Sequence, residues 1–173
     1  MKKLFVKNPL LENYIIKVAE DSVCEALLHQ NPLIDNLIKS VNEQEAKYAY
    51  AEGKWTIAQM LQHIIDTERI FACRAVCFAR GEKQIYPAFD ENEYADAAPA
   101  SHRSWSDLSE EFIFHRKSIE LFFKTLPTEK LSMVGKAGNS DYSVAMLGFA
   151  MVGHFYHHAE ILQSRYGIIL QHT

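Results

Sequence analysis

Apolar side chains recur every three to four residues along four long stretches of this chain, the spacing that predicts amphipathic α-helices. The first stretch runs from about Asp21 to about Glu45, and Pro32 inside it predicts a kink or a break near Gln30. A short additional helix before Asp21 is indicated by apolar residues at the same spacing: Leu10, Leu11, Tyr14, Ile15 and Val18.

The second stretch carries the clearest signals for both of its ends. Thr56 followed by Gln59 forms a capping-box pattern, in which each side chain bonds the backbone N–H of the other residue. The apolar spacing continues to Arg80, and Gly81 is suited to the position just after a helix. This pattern predicts a helix over about 56–80.

Two further helices are predicted in the second half of the chain. The third begins at Ser104 or Ser106 and ends near Lys124. The fourth spans Ser143–Tyr166, with the serine as N-cap and Gly167 as the residue after the helix.

Two of the three connections between these helices are informative. The link from Gly81 to Arg103 is long, which is typical of a functional segment or of a crossover between non-adjacent helices. The link from Thr128 to Tyr142 carries turn residues, and no strand of any length is convincing. The predicted fold is all-α: a four-helix bundle with a long crossover connection, as a single domain over 1–173.

Composition and charge narrow the possible functions. The chain of 173 residues is 48% hydrophobic, with 7 glycines and 5 prolines, so breakers of long helices are few. A net charge of −4 disfavours nucleic acid as a partner, and no apolar run approaches a membrane span. The opening segment lacks the apolar core of a signal peptide, so none is expected. Three cysteines without a C-x-x-C pair predict reduced thiols and a cytoplasmic location of bacterial type.

The chemistry is concentrated in the fourth helix, where three of five consecutive residues are histidines. His154 and His158 are four residues apart, so both imidazoles lie on one face and can reach a single metal ion. The spacing from His154 to His157 is also sterically possible, although it turns the second imidazole away from the apolar face. Histidines that are satisfied by hydrogen bonds in the core remain the alternative interpretation.

A metal site needs a third ligand, and His63 is the leading candidate. On a helical wheel it lies at the edge of the apolar stripe of the second helix, where a pocket between helices is expected. Three imidazoles would leave a fourth position open for water or a substrate atom, as in catalytic metal sites. The remaining histidines are predicted at the surface or at a boundary: His29, His102, His115 and His172.

Three more residues are candidates for roles around the metal. Asp66 is placed to accept a hydrogen bond from a ligand imidazole, and Arg74 lies about 16 Å along the helix from His63, where it meets only the far end of a substrate. An ordinary ion pair within the bundle is the alternative for both residues. His157 is predicted either behind the metal ligands, in hydrogen-bonding contact with them, or at the pocket rim, as a proton carrier. The chain contains no Glu-x-x-His pair and no His-Glu-x-x-His motif, which speaks against a ferritin-like site and a zincin.

Three motifs in order resemble those of the DinB-like superfamily, which includes bacillithiol S-transferase-like proteins and relatives of mycothiol-dependent isomerases. Lys54-Trp55-Thr56 with His63 and Asp66 is similar to the second-helix motif of that family, Tyr86–Glu91 to its crossover segment, and His154-x-x-His157-His158 to its final-helix motif. The resemblance covers about 21–166. The segments Tyr48–Trp55 and Asp66–Arg69 resemble a subgroup of this superfamily whose reaction is uncharacterised.

The resemblance implies a four-helix bundle with a divalent metal held by His63, His154 and His158. Zinc or nickel is the expected ion, ahead of iron or manganese, and homodimers are common in such families. Characterised relatives join low-molecular-weight thiols to electrophiles. The expected function is therefore a metal-dependent thiol S-transferase, with a metal-dependent hydrolase or a non-catalytic metal- or small-molecule-binding protein as the alternatives. Phe89 and Asp90, in the crossover, are expected near the site.

Overall fold

The computed structural model describes residues 8–98 and 100–170. None of the helices in these two ranges is both long enough and apolar enough to span a membrane. The helices and strands are α1 (Pro9–Ile15), α2 (Val23–Ser40), α3 (Ile57–Ala79), α4 (Glu91–Ala97), α5 (Trp105–Thr125), β1 (Val134–Ala137), β2 (Ser140–Ser143) and α6 (Val144–Tyr166).

The four long helices α2, α3, α5 and α6 form the predicted bundle, in which α3 packs on α6 and α5, and α2 packs on α5 and α6. The capping box of Thr56 is present at the start of α3, and the Ser143 hydroxyl accepts a hydrogen bond from the backbone N–H of Met146 at the start of α6. Ser104, rather than Ser106, is the N-cap of α5. The all-α four-helix prediction is therefore confirmed.

The first long helix differs from its prediction in two respects. Pro32 lies inside α2, which continues without a break and ends at Ser40 instead of near Glu45. Leu33, Ile34 and Leu37 follow the proline and are buried in the core. Their burial favours continuation of the helix beyond the point where proline removes one backbone hydrogen bond.

A β-hairpin precedes α6, so the expectation of no strand was wrong. β1 and β2 pair antiparallel, with Val134 opposite Ser143, and Gly138 in the turn has a φ of +55° that favours glycine. The crossover contributes two more backbone hydrogen bonds, because the Tyr86 N–H donates to the carbonyl of Lys136 and the Tyr86 carbonyl accepts from the N–H of Gly138. The hairpin therefore ties the crossover to the start of α6.

A layer of polar side chains divides the buried core into two apolar clusters. Gln30 of α2, Glu68 of α3 and Arg116 of α5 lie in this layer, and each is almost fully buried. Arg116 donates to Glu68 at 2.5 Å and to Gln30 at 2.7 Å, and Gln30 donates to the backbone carbonyl of Val152 in α6. One hydrogen-bonded network thus joins all four long helices.

Candidate metal centre

Three imidazoles meet in the interior between α3 and α6. His63 is 4% exposed, His154 2% and His158 7%. The Nε2 atom of His154 lies 3.0 Å from Nε2 of His63 and 3.0 Å from Nε2 of His158. The ligand atoms offered by the three residues lie within 4.8 Å of one another. The structure therefore brings the three predicted ligands together.

Burial keeps these imidazoles neutral. The pKa of His63 is lowered to about 4, mainly because burial disfavours the charged ring and secondarily because of the nearby charge of His157. The pKa values of His154 and His158 lie well below the ordinary value, again through burial first and then through their histidine neighbours. Neutral imidazole is the form that binds a metal ion.

The hydrogen-bonding chemistry of the cluster fits a metal better than it fits a set of imidazole pairs. A neutral imidazole has one N–H donor and one acceptor nitrogen, yet Nε2 of His154 faces two other Nε2 atoms. In the described part of the chain, Nδ1 of His154 and Nδ1 of His158 are buried without a hydrogen-bond partner. Nitrogens bound tetrahedrally to zinc at about 2.0–2.1 Å are about 3.3 Å apart, close to the separations seen here.

His157 faces different surroundings from its neighbour His158. Its ring is half-buried and lies edge-on to Tyr14 of α1, with ring centroids 5.5 Å apart. Tyr14 also contacts His154 edge-on at 5.2 Å. This approach of α1 depends on Gly153, since a Cβ there would lie 2.0 Å from the Tyr14 carbonyl oxygen. The first helix therefore covers one side of the cluster.

A cavity of about 230 Å³, which we call the His158 cavity, leads to the cluster. The Trp55 ring lies 4.8 Å from the ring of His63, and Lys54 adds a cationic group to the lining. The lining residues are Tyr50, Gly53, Lys54, Trp55, Met60, Asn92, His158, Ile161 and Tyr166.

The crossover reaches the His158 cavity through Asn92. Asp90 caps α4 by accepting hydrogen bonds from the backbone N–H groups of Asn92 and Glu93. Phe89 lines a different cavity, described below. Proximity of Phe89 and Asp90 themselves to the imidazoles stays a prediction.

Asp66 and Arg74 do not contact the cluster. The Asp66 carboxylate accepts a hydrogen bond from Gln62 and lies 3.9 Å from Arg69, and no hydrogen bond joins it to an imidazole among the described residues. Arg74 donates to the backbone carbonyl of Pro87 at 2.7 Å. The ion-pair interpretation therefore fits Asp66, while Arg74 has no ion pair within the ranges that the structure covers.

Three further histidines in the described ranges, His29, His102 and His115, do not belong to the cluster. His29 and His102 are exposed, as predicted, and His29 contacts Glu20. His115 is half-buried, and burial lowers its pKa to about 4, with the charges of two arginines as further causes. His172 lies outside the described residues.

The fold and the cluster define a four-helix-bundle protein with three buried imidazoles between two of its long helices. The family model of the DinB superfamily matches residues 27–162, and the protein belongs to that superfamily. The predicted family is thereby confirmed.

Two individual proteins are similar to this chain. A protein of Oceanobacillus iheyensis, named "putative metal-dependent hydrolase", is 33% identical over 58 residues. That alignment covers 34% of each chain, so the match spans about a third of the relative's length. The structure of YfiT from Bacillus subtilis superposes with a TM-score of 0.67 at 14% identity, over 95% of this chain and 91% of YfiT. Its title describes "a probable metal-dependent hydrolase with an unusual four-helix bundle topology". At this identity the likeness concerns the fold.

Proposed function

We propose that this protein is a divalent-metal-dependent enzyme whose metal is held by His63, His154 and His158. The observation that carries the proposal is the convergence of three neutral, buried imidazoles on one point. A divalent ion at this position lowers the pKa of water or a thiol and polarises a substrate oxygen. The protein itself keeps the imidazoles neutral, and it exposes the cluster to a substrate at the His158 cavity.

All-imidazole ligation suits zinc and nickel, and also iron and copper, more than magnesium or calcium, which prefer oxygen ligands. We therefore propose zinc or nickel as the native ion, ahead of iron or manganese. The Nε2 atoms of His63 and His158 both lie 3.0 Å from Nε2 of His154, as expected of three rings that turn the same nitrogen toward one metal ion.

Hydrolysis is the reaction that the names of the similar proteins favour. Transfer of a low-molecular-weight thiol to an electrophile is the second candidate, supported by the resemblance to thiol S-transferases. Both reactions need a nucleophile deprotonated near neutral pH. A cavity of about 230 Å³ accommodates a small substrate or one group of a larger one, and Lys54 at its wall favours an anionic group there.

The test combines metal analysis with two activity assays on protein purified without a histidine tag. We expect about one divalent ion per chain, and turnover either of small ester and amide substrates or of a thiol with 1-chloro-2,4-dinitrobenzene. Chelation should abolish the activity and metal should restore it. His154→Ala is the matched inactive variant, and His102→Ala, at an exposed histidine, should behave as the parent. Stoichiometric metal without either activity would favour a non-catalytic binding protein.

The cellular setting is part of the same proposal. Cys24, Cys73 and Cys77 are free thiols, which supports a reducing compartment such as the bacterial cytoplasm. A homodimer, as in families of this kind, is proposed as the working assembly. Light scattering on the purified protein tests it.

A further inference from the structure

The geometry points to a second small-molecule site, separate from the imidazole cluster, that binds a compact aromatic carboxylate at Arg74. The site is a cavity of about 290 Å³ between α3 and the crossover segment, which we call the Arg74 cavity. Its walls include Cys73 and Arg74 of α3 and Tyr86, Phe89 and Tyr94 of the crossover.

Arg74 is a buried cation that has no anionic partner among residues 8–98 and 100–170. The residue is 5% exposed, and its guanidinium donates one hydrogen bond, to the carbonyl of Pro87. The guanidinium carbon lies 5.7 Å from the ring centroid of Phe89 and 6.0 Å from that of Tyr142. No carboxylate in the described residues pairs with it, and burial lowers its pKa. Five N–H donors thus meet a single neutral acceptor, which leaves the guanidinium able to bind an anion.

The other arginines that are withdrawn from solvent show how this fold normally treats such a charge. Arg116, 3% exposed, pairs with the Glu68 carboxylate and with Gln30. Arg69 and Arg103, which are less buried, both pair with Glu111. Burying an unpaired charge is costly, so a missing partner at Arg74 indicates a partner supplied from outside the chain.

The lining of the cavity specifies the chemistry of that partner. Arg69 also lines the Arg74 cavity, but the carboxylates of Asp66 and Glu111 balance the charges of Arg69 and Arg103. One positive charge, that of Arg74, is left uncompensated. One charge matches a monoanion, and the planar fork of a guanidinium matches a carboxylate. Phe89 and Tyr94, with ring centroids 5.3 Å apart, present aromatic surface that favours a planar ring. The cavity of about 290 Å³ accommodates a ligand of about the size of one substituted ring.

The Arg74 cavity is independent of the metal centre. Eleven residues of α3 separate His63 from Arg74, which corresponds to about 16 Å along the helix. The two cavities share no lining residue. Asn92 of α4 lines the His158 cavity and Tyr94 lines the Arg74 cavity, so the crossover helix contributes to both. Occupation of the Arg74 cavity therefore requires no metal.

Titration with benzoate, benzamide and inorganic phosphate, followed by backbone amide NMR, tests the proposal. We expect saturable benzoate shifts at residues around Arg74, and binding of the neutral benzamide weaker by about 10-fold or more, as for loss of a charged hydrogen bond. Arg74→Gln should weaken benzoate binding by a similar factor. Arg80→Gln, at an exposed arginine near the end of the same helix, should leave it unchanged. Equal binding of benzoate and benzamide, or a preference for phosphate, would overturn the assignment.

A second readout needs no substitution at Arg74. Cys73 is exposed and lines the cavity, whereas Cys24 lies on α2. Benzoate should slow alkylation of Cys73 by iodoacetamide, measured by peptide mass spectrometry, and leave the rate at Cys24 unchanged. The same protection is expected in His154→Ala, which separates this site from the proposed metal function. Unprotected Cys73 at saturating benzoate would contradict the proposal.

Discussion

His157 and His158 are adjacent in sequence, yet only His158 places its Nε2 atom beside that of His154. We predict that His63→Ala, His154→Ala and His158→Ala each lose stoichiometric metal, because two imidazoles do not hold a divalent ion firmly. His157→Ala should retain it. Metal content by plasma mass spectrometry on the four purified variants is the measurement.

His157→Ala is the control for His158→Ala, because the two residues are adjacent on the same helix. Loss of metal in His157→Ala together with retention in His158→Ala would reverse the ligand assignment. Retention in all four variants would remove the metal site from this region altogether.

Histidines that the fold keeps neutral make the stability of the metal-free protein depend on pH, and His63 is one of them. The pKa of His63 falls from about 6.5 in the unfolded chain to about 4 in the fold. Between these values the unfolded state binds the extra proton, so the free energy of unfolding falls as the pH falls. The contribution of His63 to the free energy of unfolding is complete above about pH 6.5 and is smaller by about 2 kcal/mol at pH 5.

Urea unfolding of the metal-free protein at pH 7 and pH 5 measures this effect. His63→Gln should show a smaller loss of stability between the two pH values than the parent. His102→Gln, at an exposed histidine, should keep the parental loss. An identical pH dependence in the parent and His63→Gln would contradict the prediction.

At the scale of the helices, the close approach of α1 to α6 depends on one glycine. We predict that Gly153→Ala destabilises the protein by about 1–3 kcal/mol, because the new Cβ would lie 2.0 Å from a backbone oxygen of Tyr14, which cannot rotate away. Hydrogen exchange should accelerate in α1 and remain unchanged in α5.

Gly53→Ala provides the comparison for that variant. Gly53 has a φ of +71°, and no atom lies within 4 Å of a Cβ placed there. The substitution should cost about 1 kcal/mol of backbone strain without affecting α1. Faster exchange in α1 of this variant as well would indicate general destabilisation rather than a local contact.

The sequence predicted those elements whose signals are local. The capping box at Thr56 and the N-cap at Ser143 act within one turn of a helix, and both are present. The i, i+4 spacing of His154 and His158 is equally local. The hairpin was not predicted, because Gly135 in β1 is typical of a turn rather than of a strand. Its role is a close contact with Phe78, since a Cβ at this position would lie 2.0 Å from the phenylalanine ring. Such a long-range contact has no sequence signal.

The long-range parts of the site could not be predicted for the same reason. Tyr14 and Trp55 flank the imidazoles, but their positions depend on how α1 and the segment before α3 pack. Gln30, Glu68 and Arg116 interrupt apolar stripes, and each interruption alone is typical of a surface residue. Only their alignment across helices reveals a buried network.

At the scale of the whole molecule, we predict that the buried network of Gln30, Glu68 and Arg116 contributes substantially to the free energy of unfolding. Arg116→Met should cost about 3–5 kcal/mol, because it leaves the Glu68 carboxylate buried without its cation. Glu68→Leu combined with Arg116→Met should cost clearly less than the sum of the single changes. Urea unfolding of the single and double variants gives the coupling energy.

Lys117→Met is the matched control for loss of a cation on α5. Its ammonium group pairs with Glu120, but the side chain is largely exposed, so the expected change is below about 1 kcal/mol. Strict additivity of the Glu68 and Arg116 changes would show that the two side chains contribute independently.

The spacing of the three imidazoles along the chain has a consequence for synthesis. Ninety-one residues separate His63 from His154. A ribosome that has translated as far as the hairpin has therefore produced one of the three imidazoles, on α3, whereas α6, which carries the other two, does not yet exist. The proposed metal site would then be completed late, after α6 has emerged from the exit tunnel.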